Sequence, residues 1–486
     1  MPVRDYDQKQ MFLFPYCLDE WVTEDHQARA FSEIVDQIDV KSLRTIRAEG
    51  RPCFHPRMLL KVILWAYAHG IRASRKIEEQ LHSNVIFMWL AGLEKPDYRT
   101  ICDFRRSNEE ALKQIFKQVL LIARGMGLLQ LELVATDGTK VKASAGIDSF
   151  RSAAEWRKEL ARIQKEVEAV MTEAEAQDCA DDRALGPETG TVKIPVELAK
   201  QEQRIAQIKD LLQQIKGSGS EEILVSSTDP DARFMHGAHA SVPGFNAQVS
   251  VTKDQIIVHA GITNEPIDTN QLVPALEGIK ENTGEYPRAA LADTGFNSGP
   301  NLTAMETRRI DGYMPEKNER NIGKEQPAQE EFYRKEDFRY DAKQDCYHCP
   351  AGQVLKPTKE VHTKTKYSKR DAIRYRTALG TCLSCPLKGR CTKTKNPLGR
   401  SITRDDYEAE RMRMRQKLIT EAGKRTYGQR KCLVEPTIGQ LKMVGGFQYF
   451  LLRGLAGAWI ELQWVAMAHN VLKLMRRTVE RRARAA

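Results

Sequence analysis

Three acids in this chain stand where phosphoryl chemistry would need them. Asp137 lies where the apolar, β-branched run LELVAT gives out, and Asp293 stands in the same relation to RAALA, each followed within two residues by glycine. Carboxylates delivered at the ends of buried strands are placed to share hydrated divalent cations. Magnesium binds through one or two carboxylates, several waters and substrate phosphate oxygens, so a sparse site at a sheet edge suits it. Glu435, read as opening a helix with Pro436 in the first turn, supplies a third acid if that helix lies against the sheet. Two ions about 3.5 to 4 Å apart can activate a water or a 3′-hydroxyl and stabilise the leaving oxygen of an in-line displacement. Read singly, each acid has a commoner explanation, because Asp-Gly is a frequent turn and Glu near a helix start is favoured by the helix dipole.

A second constellation is built from sulfur. Of ten cysteines, five fall in CYHCPAGQ and CLSCPLKGRC: Cys346, Cys349, Cys382, Cys385 and Cys391, with His348 among them. Paired thiolates on tight turns, a few tens of residues apart, fit a tetrahedral structural zinc site, which four thiolates close to substrate. Five thiols for four positions leave one spare, and reduced, unmetallated cysteines are the bland alternative. Nearby, HTKTKYSKRDAIRYR interleaves Lys364, Lys366, Lys369, Arg370, Arg374 and Arg376 with Tyr367 and Tyr375. Cations for phosphates and rings for stacking suit an unpaired DNA end, while a solvated hairpin is the plain reading.

The elements that must position these groups change character along the chain. Residues 1–128 read as short helices: FHPRMLLKVILWAYAHG starts at Pro56 and stops at Gly70, Ser74 caps the next, Asp97 or Thr100 opens DYRTICDFRR, and Asn108 opens a long amphipathic run. Arg99, Arg105 and Arg106 on one such helix form a candidate DNA-groove contact, against the bland reading of a scaffold with solvated arginines. From Leu131 strand patterns begin. A charged insertion at 150–220 carries heptads, with Trp156, Leu160, Ile163, Val167 and Val170 answering Ile205, Ile208, Leu212 and Ile215 around a loop with Gly186, Pro187 and Gly190, so it predicts an antiparallel helical hairpin. FNAQVSVT, QIIVHAGIT, RAALA and DGYMP read as strands, with helices between Asn270 and Asn282 and over GPNLTAMETRRI, giving an α/β layered core. WIELQWVAMAHNVLKLMRR closes the chain as an apolar helix; His469 and Trp464 belong to its core face.

Composition narrows the class. The chain has 486 residues, 41% hydrophobic and 29% charged, with a formal net charge of +10. That is long enough for several domains, and the positive balance favours a polyanionic partner. No run of 18 apolar residues and no leader pattern is present, so a cytoplasmic location without membrane insertion is expected.

TDGTKVKASA, LADTGFNS and YGQRKCLVEPTIGQLK, in that order, resemble the three acidic blocks of bacterial insertion-sequence transposases of the DDE superfamily. FHPRMLLKVILWAYAHG, PDYRTICDFRR, GFNAQVSV, GFQYFLLRG and AHNVLKL extend the resemblance over nearly the whole chain. It implies an RNase H-like core at 129–325 and 400–475 that holds the hairpin, a helical DNA-binding domain at 1–128, a zinc-knuckle insertion at 326–399 and a basic tail at 476–486. It implies Asp137, Asp293 and Glu435 as ligands of two Mg²⁺ or Mn²⁺ ions, acting in cleavage at terminal inverted repeats of double-stranded DNA and 3′-hydroxyl transfer into target DNA. It implies Tyr427, Arg430 and Lys442 as DNA contacts of a Tyr-Arg-Glu-Lys signature, although some members space the Tyr and Arg one residue closer to the Glu. Glu435 and Lys442 are seven apart, two helical turns, which would place them on one face. Thr294 and Ile438 replace residues more usual in these blocks without removing a ligand. For zinc it implies Cys349, Cys382, Cys385 and Cys391, leaving Cys346 as the extra. Pairing two ends implies at least a dimer. A catalytically silent DNA-binding regulator and a nuclease without strand transfer are the competing readings, and inverted repeats flanking the coding region would separate them from a transposase.

Overall fold

The computed structural model describes residues 17–45, 53–185, 196–217, 221–236, 241–316, 333–364, 369–392 and 397–485. The hairpin loop with Gly186, Pro187 and Gly190, and Lys366 with Tyr367, lie outside them. Six helices come first: α1 (Gln27–Asp36), α2 (Pro56–Ala68), α3 (Ser74–Ser83), α4 (Val85–Ala91), α5 (Tyr98–Arg106) and α6 (Glu109–Gly125). Their ends follow the local chemistry. Pro56 occupies the first turn of α2, and Gly70 follows its end at φ +75°. The Asp97 carboxylate accepts the Thr100 N–H at 2.8 Å to cap α5. Ser74 opens α3 without capping it, because its hydroxyl accepts a hydrogen bond from Arg105 instead.

Next come β1 (Leu133–Lys142), β2 (Phe150–Arg151), α7 (Ala153–Leu185), α8 (Val196–Gly217), β3 (Val225–Ser226), β4 (Arg233–His236), β5 (Ser241–Thr252), β6 (Ile257–Thr263), α9 (Leu272–Thr283), β7 (Ala289–Leu291), α10 (Gly299–Thr307) and β8 (Asp311–Tyr313). The hairpin α7–α8 packs Trp156, Ile163, Ile208 and Ile215 along its seam. Val170, expected in that seam, is 41% exposed, so the packed heptads end at Val167. The central sheet runs β4–β5–β1–β7–β8, with β6 on the same edge of β5 as β4. Strand β1 is antiparallel to β5 and parallel to β7, and β7 is parallel to β8. Asp137 does not close a strand with a turn, as its Asp-Gly pair suggests. It sits inside β1, paired opposite Val249, and Gly138 continues the ladder opposite Gln248.

The cysteine-rich segment forms its own sheet from β9 (Arg339–Asp341), β10 (Cys346–His348), β11 (Val354–Lys364), β12 (Lys369–Arg376) and β13 (Ser401–Arg404), with the short α11 (Lys388–Cys391) beside it. Tyr375 is 1% exposed in this sheet's core against Tyr340 and Tyr347, so burial removes it from the stacking surface its neighbours suggested.

Three helices complete the chain: α12 (Glu408–Ile419), α13 (Glu421–Gly439) and α14 (Gly454–Ala485). Glu435 and Pro436 lie inside α13 rather than at its start. The proline lacks the N–H that would bond the Cys432 carbonyl. The Gln255 side-chain amide donates to that carbonyl at 3.3 Å, which accounts for the helix persisting through the proline. Helix α14 packs against α1, α2, α6 and β6. Both faces of its first half are covered, so WIELQWVAMAHNVLKL is apolar nearly all round, and Trp464 and His469 are buried. Two expectations about boundaries change with it. The N-terminal helices and the sheet share one continuous apolar core rather than separate ones. Residues expected as a basic tail are helical to Ala485, with Arg481 donating to the Met126 carbonyl and Arg482 ion-paired with Glu33. No helix among the described residues is long and apolar enough to cross a membrane.

Candidate active site

Parallel pairing sets Ala135 beside Leu291; Asp137 stands two residues further along β1, and Asp293 stands two residues beyond Leu291 on the loop that leaves β7. Burial pushes the Asp137 carboxyl up to about 6; the Arg430 guanidinium opposes the rise and the Asp293 charge adds to it. Helix α13 packs across β1 and β5. From it Arg430 reaches Asp137 Oδ2 at 2.9 Å and Glu435 Oε1 at 3.4 Å, so one guanidinium bridges two acids. Asp137 and Arg430 are mostly buried while Glu435 is 51% exposed, which leaves the cluster open on one side. Tyr427 packs partly buried beside Arg430, and its hydroxyl is held above the usual range, chiefly by burial.

Lys442 does not sit two α-turns beyond Glu435. The chain widens into a π-turn over Gln440–Val444 after α13, and the Lys442 ammonium donates to the Lys140 carbonyl at 3.0 Å. It is therefore fixed to β1, and burial lowers its pKa. Three acids, Tyr427, Arg430 and Lys442 thus gather around β1.

Of the other basic candidates, Arg99 and Arg106 are exposed on α5, with Arg99 and Arg75 against the Tyr98 ring. Arg105 is not available to a ligand. It is 3% exposed and donates to the Tyr67 hydroxyl, the Arg72 carbonyl and the Ser74 hydroxyl, tying α2, α3 and α5 together.

Cys349, Cys382, Cys385 and Cys391 line one cavity of about 30 Å³. Burial pushes the Cys391 thiol up, Arg400 opposes this, and Cys382 and Cys349 add to it. The Gln353 N–H donates to Cys349 Sγ at 3.3 Å. Cys346 stands apart, buried with its sulfur near Gln344 and His348. Among the described residues no three His, Cys, Asp or Glu side chains already stand in chelating geometry, in this cluster or in the acidic one.

Four residues at the acidic site carry no mark in the linear pattern: Lys140, Asn246, Gln248 and Asp268. For Asn246 and Gln248 a signal was available in FNAQVSVT, where polar Asn246, Gln248, Ser250 and Thr252 alternate in a strand that is buried on both faces. A strand that buries polar residues in register is lining a polar site.

Acids delivered by β1, by the loop after β7 and by α13, with Arg430 and Lys442 beside them, form a candidate active site. Residues 348–475 match the transposase DDE domain and residues 16–107 match the transposase domain DUF772. The two matches support an insertion-sequence DDE transposase and, with it, DNA transposase activity. The first match takes in Tyr427, Arg430, Glu435, Lys442 and the cysteine cavity, whereas Asp137 and Asp293 lie outside both. No curated protein matches the chain.

Proposed function

We propose that this transposase cuts DNA at terminal inverted repeats and joins the freed 3′-hydroxyl to target DNA, with Asp137, Asp293 and Glu435 as its catalytic acids on an RNase H-like core. The observation that carries this is that Asp293, on the loop that leaves β7 beside β1, places its charge against Asp137, with Glu435 brought to Asp137 by α13 through Arg430. The donor set fits Mg²⁺ or Mn²⁺: all candidate ligating atoms are hard carboxylate oxygens, and Asp293 adds like charge beside a buried Asp137 that Arg430 only partly offsets. Bound there, the ions supply Lewis-acid activation of the attacking oxygen and stabilisation of the leaving one.

The chain's own residues do the rest. Asp137 sets the origin of the site from within β1, and Asp293 joins it from the loop that leaves β7. Arg430 is poised to exchange its carboxylate partners for a phosphate, which its planar fork can grip bidentately. Lys442, fixed to the Lys140 carbonyl, adds positive charge on the same side. Arg99 and Arg106 supply exposed charge on α5 for end binding, and two ends held together require at least a dimer. The cysteine cavity fits a structural Zn²⁺ held by Cys349, Cys382, Cys385 and Cys391, since all four thiols line it and Gln353 already donates to one sulfur.

An assay with labelled repeat ends tests the proposal. Asp137→Asn retains end binding but loses cleavage by about 10³-fold or more, in line with catalysis by positioning and electrostatics. Cleavage by that variant in magnesium would overturn the site, and binding without cleavage by the native chain would leave a silent regulator.

A further inference from the structure

We infer that Asp268 is a fourth carboxylate of the catalytic centre, placed to hold a divalent cation together with Asp293; this rests on the metal-dependent reading above. Asp268 lies on the loop between β6 and α9. Its Oδ1 accepts from Asn246 Nδ2 at 2.7 Å, Gln248 Nε2 at 2.8 Å and Lys140 Nζ at 3.3 Å. Its Oδ2 lies on the side of Gly295. A Cβ built on Gly295 would stand 3.7 Å from Asp268 Oδ2 and 2.9 Å from Asp293 Oδ1, so the two carboxylates flank one glycine.

The neighbouring chain is shaped around this placement. A Cβ on Gly138 would fall 2.3 Å from Asp268 Oδ1 and 2.7 Å from Gln248 Nε2, so the glycine after Asp137 is what lets Asp268 seat against β1. Thr269 donates to the Gly295 carbonyl at 3.2 Å, and Asn301 donates to the Thr269 carbonyl at 2.7 Å, fastening the Asp268 loop to the Asp293 loop. Asn246 and Gln248 are 0% and 2% exposed, and their amide oxygens find no donor. Anchoring a loop needs none of this, and an apolar contact would do it without burying unsatisfied amides beside like charges. A cation with its water shell would use both features, since it neutralises the facing acids and its waters can donate to the amide oxygens. The chemical class implied is a hard divalent ion.

The test is a titration of the full chain with Mn²⁺, counting bound ions by electron paramagnetic resonance. The native chain binds two ions. Asp268→Asn, which keeps the shape and the hydrogen-bond acceptor, retains the tighter ion and weakens the second about tenfold. Gly138→Ala reproduces that loss by displacing the carboxylate. Lys140→Met leaves the second ion as tight or tighter; if instead it copies Asp268→Asn, Asp268 acts only as an anchor for Lys140 and the inference fails. Asp268→Cys adds a readout that a purely structural residue would not move, with Cd²⁺ preferred over Mn²⁺ at the second site relative to the native chain. Binding of both ions by Asp268→Asn as in the native chain overturns the inference. Unchanged binding by Asp137→Asn as well would place the failure in the metal reading itself.

Discussion

Two acid–arginine clusters in this molecule are built from the same parts and differ in how completely they are satisfied. Where the N-terminal helices meet α14, Glu461 is 0% exposed and both its oxygens are taken: Oε1 by Arg72 at 2.5 Å, Oε2 by the Leu451 and Leu452 N–H groups at 2.7 and 3.1 Å. Arg72 also donates to the Gly446 carbonyl and lies over the Phe447 and Tyr449 rings. At the proposed catalytic centre a single guanidinium, Arg430, is divided between Asp137 and Glu435 while Asp293 adds like charge. The first cluster has every carboxylate oxygen taken, whereas in the second one guanidinium serves two acids with a third beside them. Saturation marks a structural pair, and under-compensation marks a site that takes a cationic ligand.

Opposite responses to neutralisation follow. Glu461→Gln strands a buried Arg72 without a counter-charge and lowers unfolding stability by about 3 to 5 kcal/mol, measured by thermal or denaturant unfolding. A loss under about 1 kcal/mol would erase the contrast. Asp137→Asn in EDTA moves the other way. Burial is the main reason the folded carboxyl titrates near 6 instead of near 4. The folded state therefore binds this proton more tightly than the unfolded chain. Stability tied to Asp137 is present below pH 4 and is lost as pH rises through 6, by about 2 to 3 kcal/mol. The Asn variant escapes that loss, so it is the more stable form at pH 7.5, and the advantage disappears near pH 4. A native chain as stable as the variant at pH 7.5 would show that Arg430 compensates Asp137 fully.

Much of this contrast was legible in the residue order, though unevenly. Strand and helix periods placed β1, β5, β6, α2 and α14 because apolar spacing follows burial directly, and Asp97 marked its helix start because capping is a local hydrogen bond. The three acids were singled out through their motif blocks, which the strand and helix periods alone do not mark. Arg105 was misread because a buried and a solvated arginine look alike until the hydroxyls and carbonyl that receive it, on α2, α3 and the turn between them, are in place. Glu435 was misplaced to a helix start because Pro436 is a start signal unless a distant side chain satisfies the carbonyl it orphans. Asp268 was invisible because its partners come from two strands and nothing in TNEPIDTNQ has a period.

The smallest predicted effect concerns that distant side chain. Gln255 holds φ at +61° in the turn between β5 and β6. Its amide nitrogen donates to the Cys432 carbonyl, its amide oxygen accepts from Lys473 at 2.7 Å, and its backbone carbonyl pairs with His469 at 2.9 Å. One residue thus joins the strand turn to both the catalytic helix and α14. Gln255→Ala keeps the unfavourable φ and leaves the Cys432 carbonyl without a donor, lowering stability by about 1 kcal/mol. Pro436→Ala restores the missing helical N–H, so the Gln255→Ala cost should shrink by about 0.5 to 1 kcal/mol in that background, as read from a double-mutant cycle of unfolding free energies. If the two changes are simply additive, Gln255 does not carry the helix through its proline, and the placement of Glu435 depends on packing of α13 against the sheet alone.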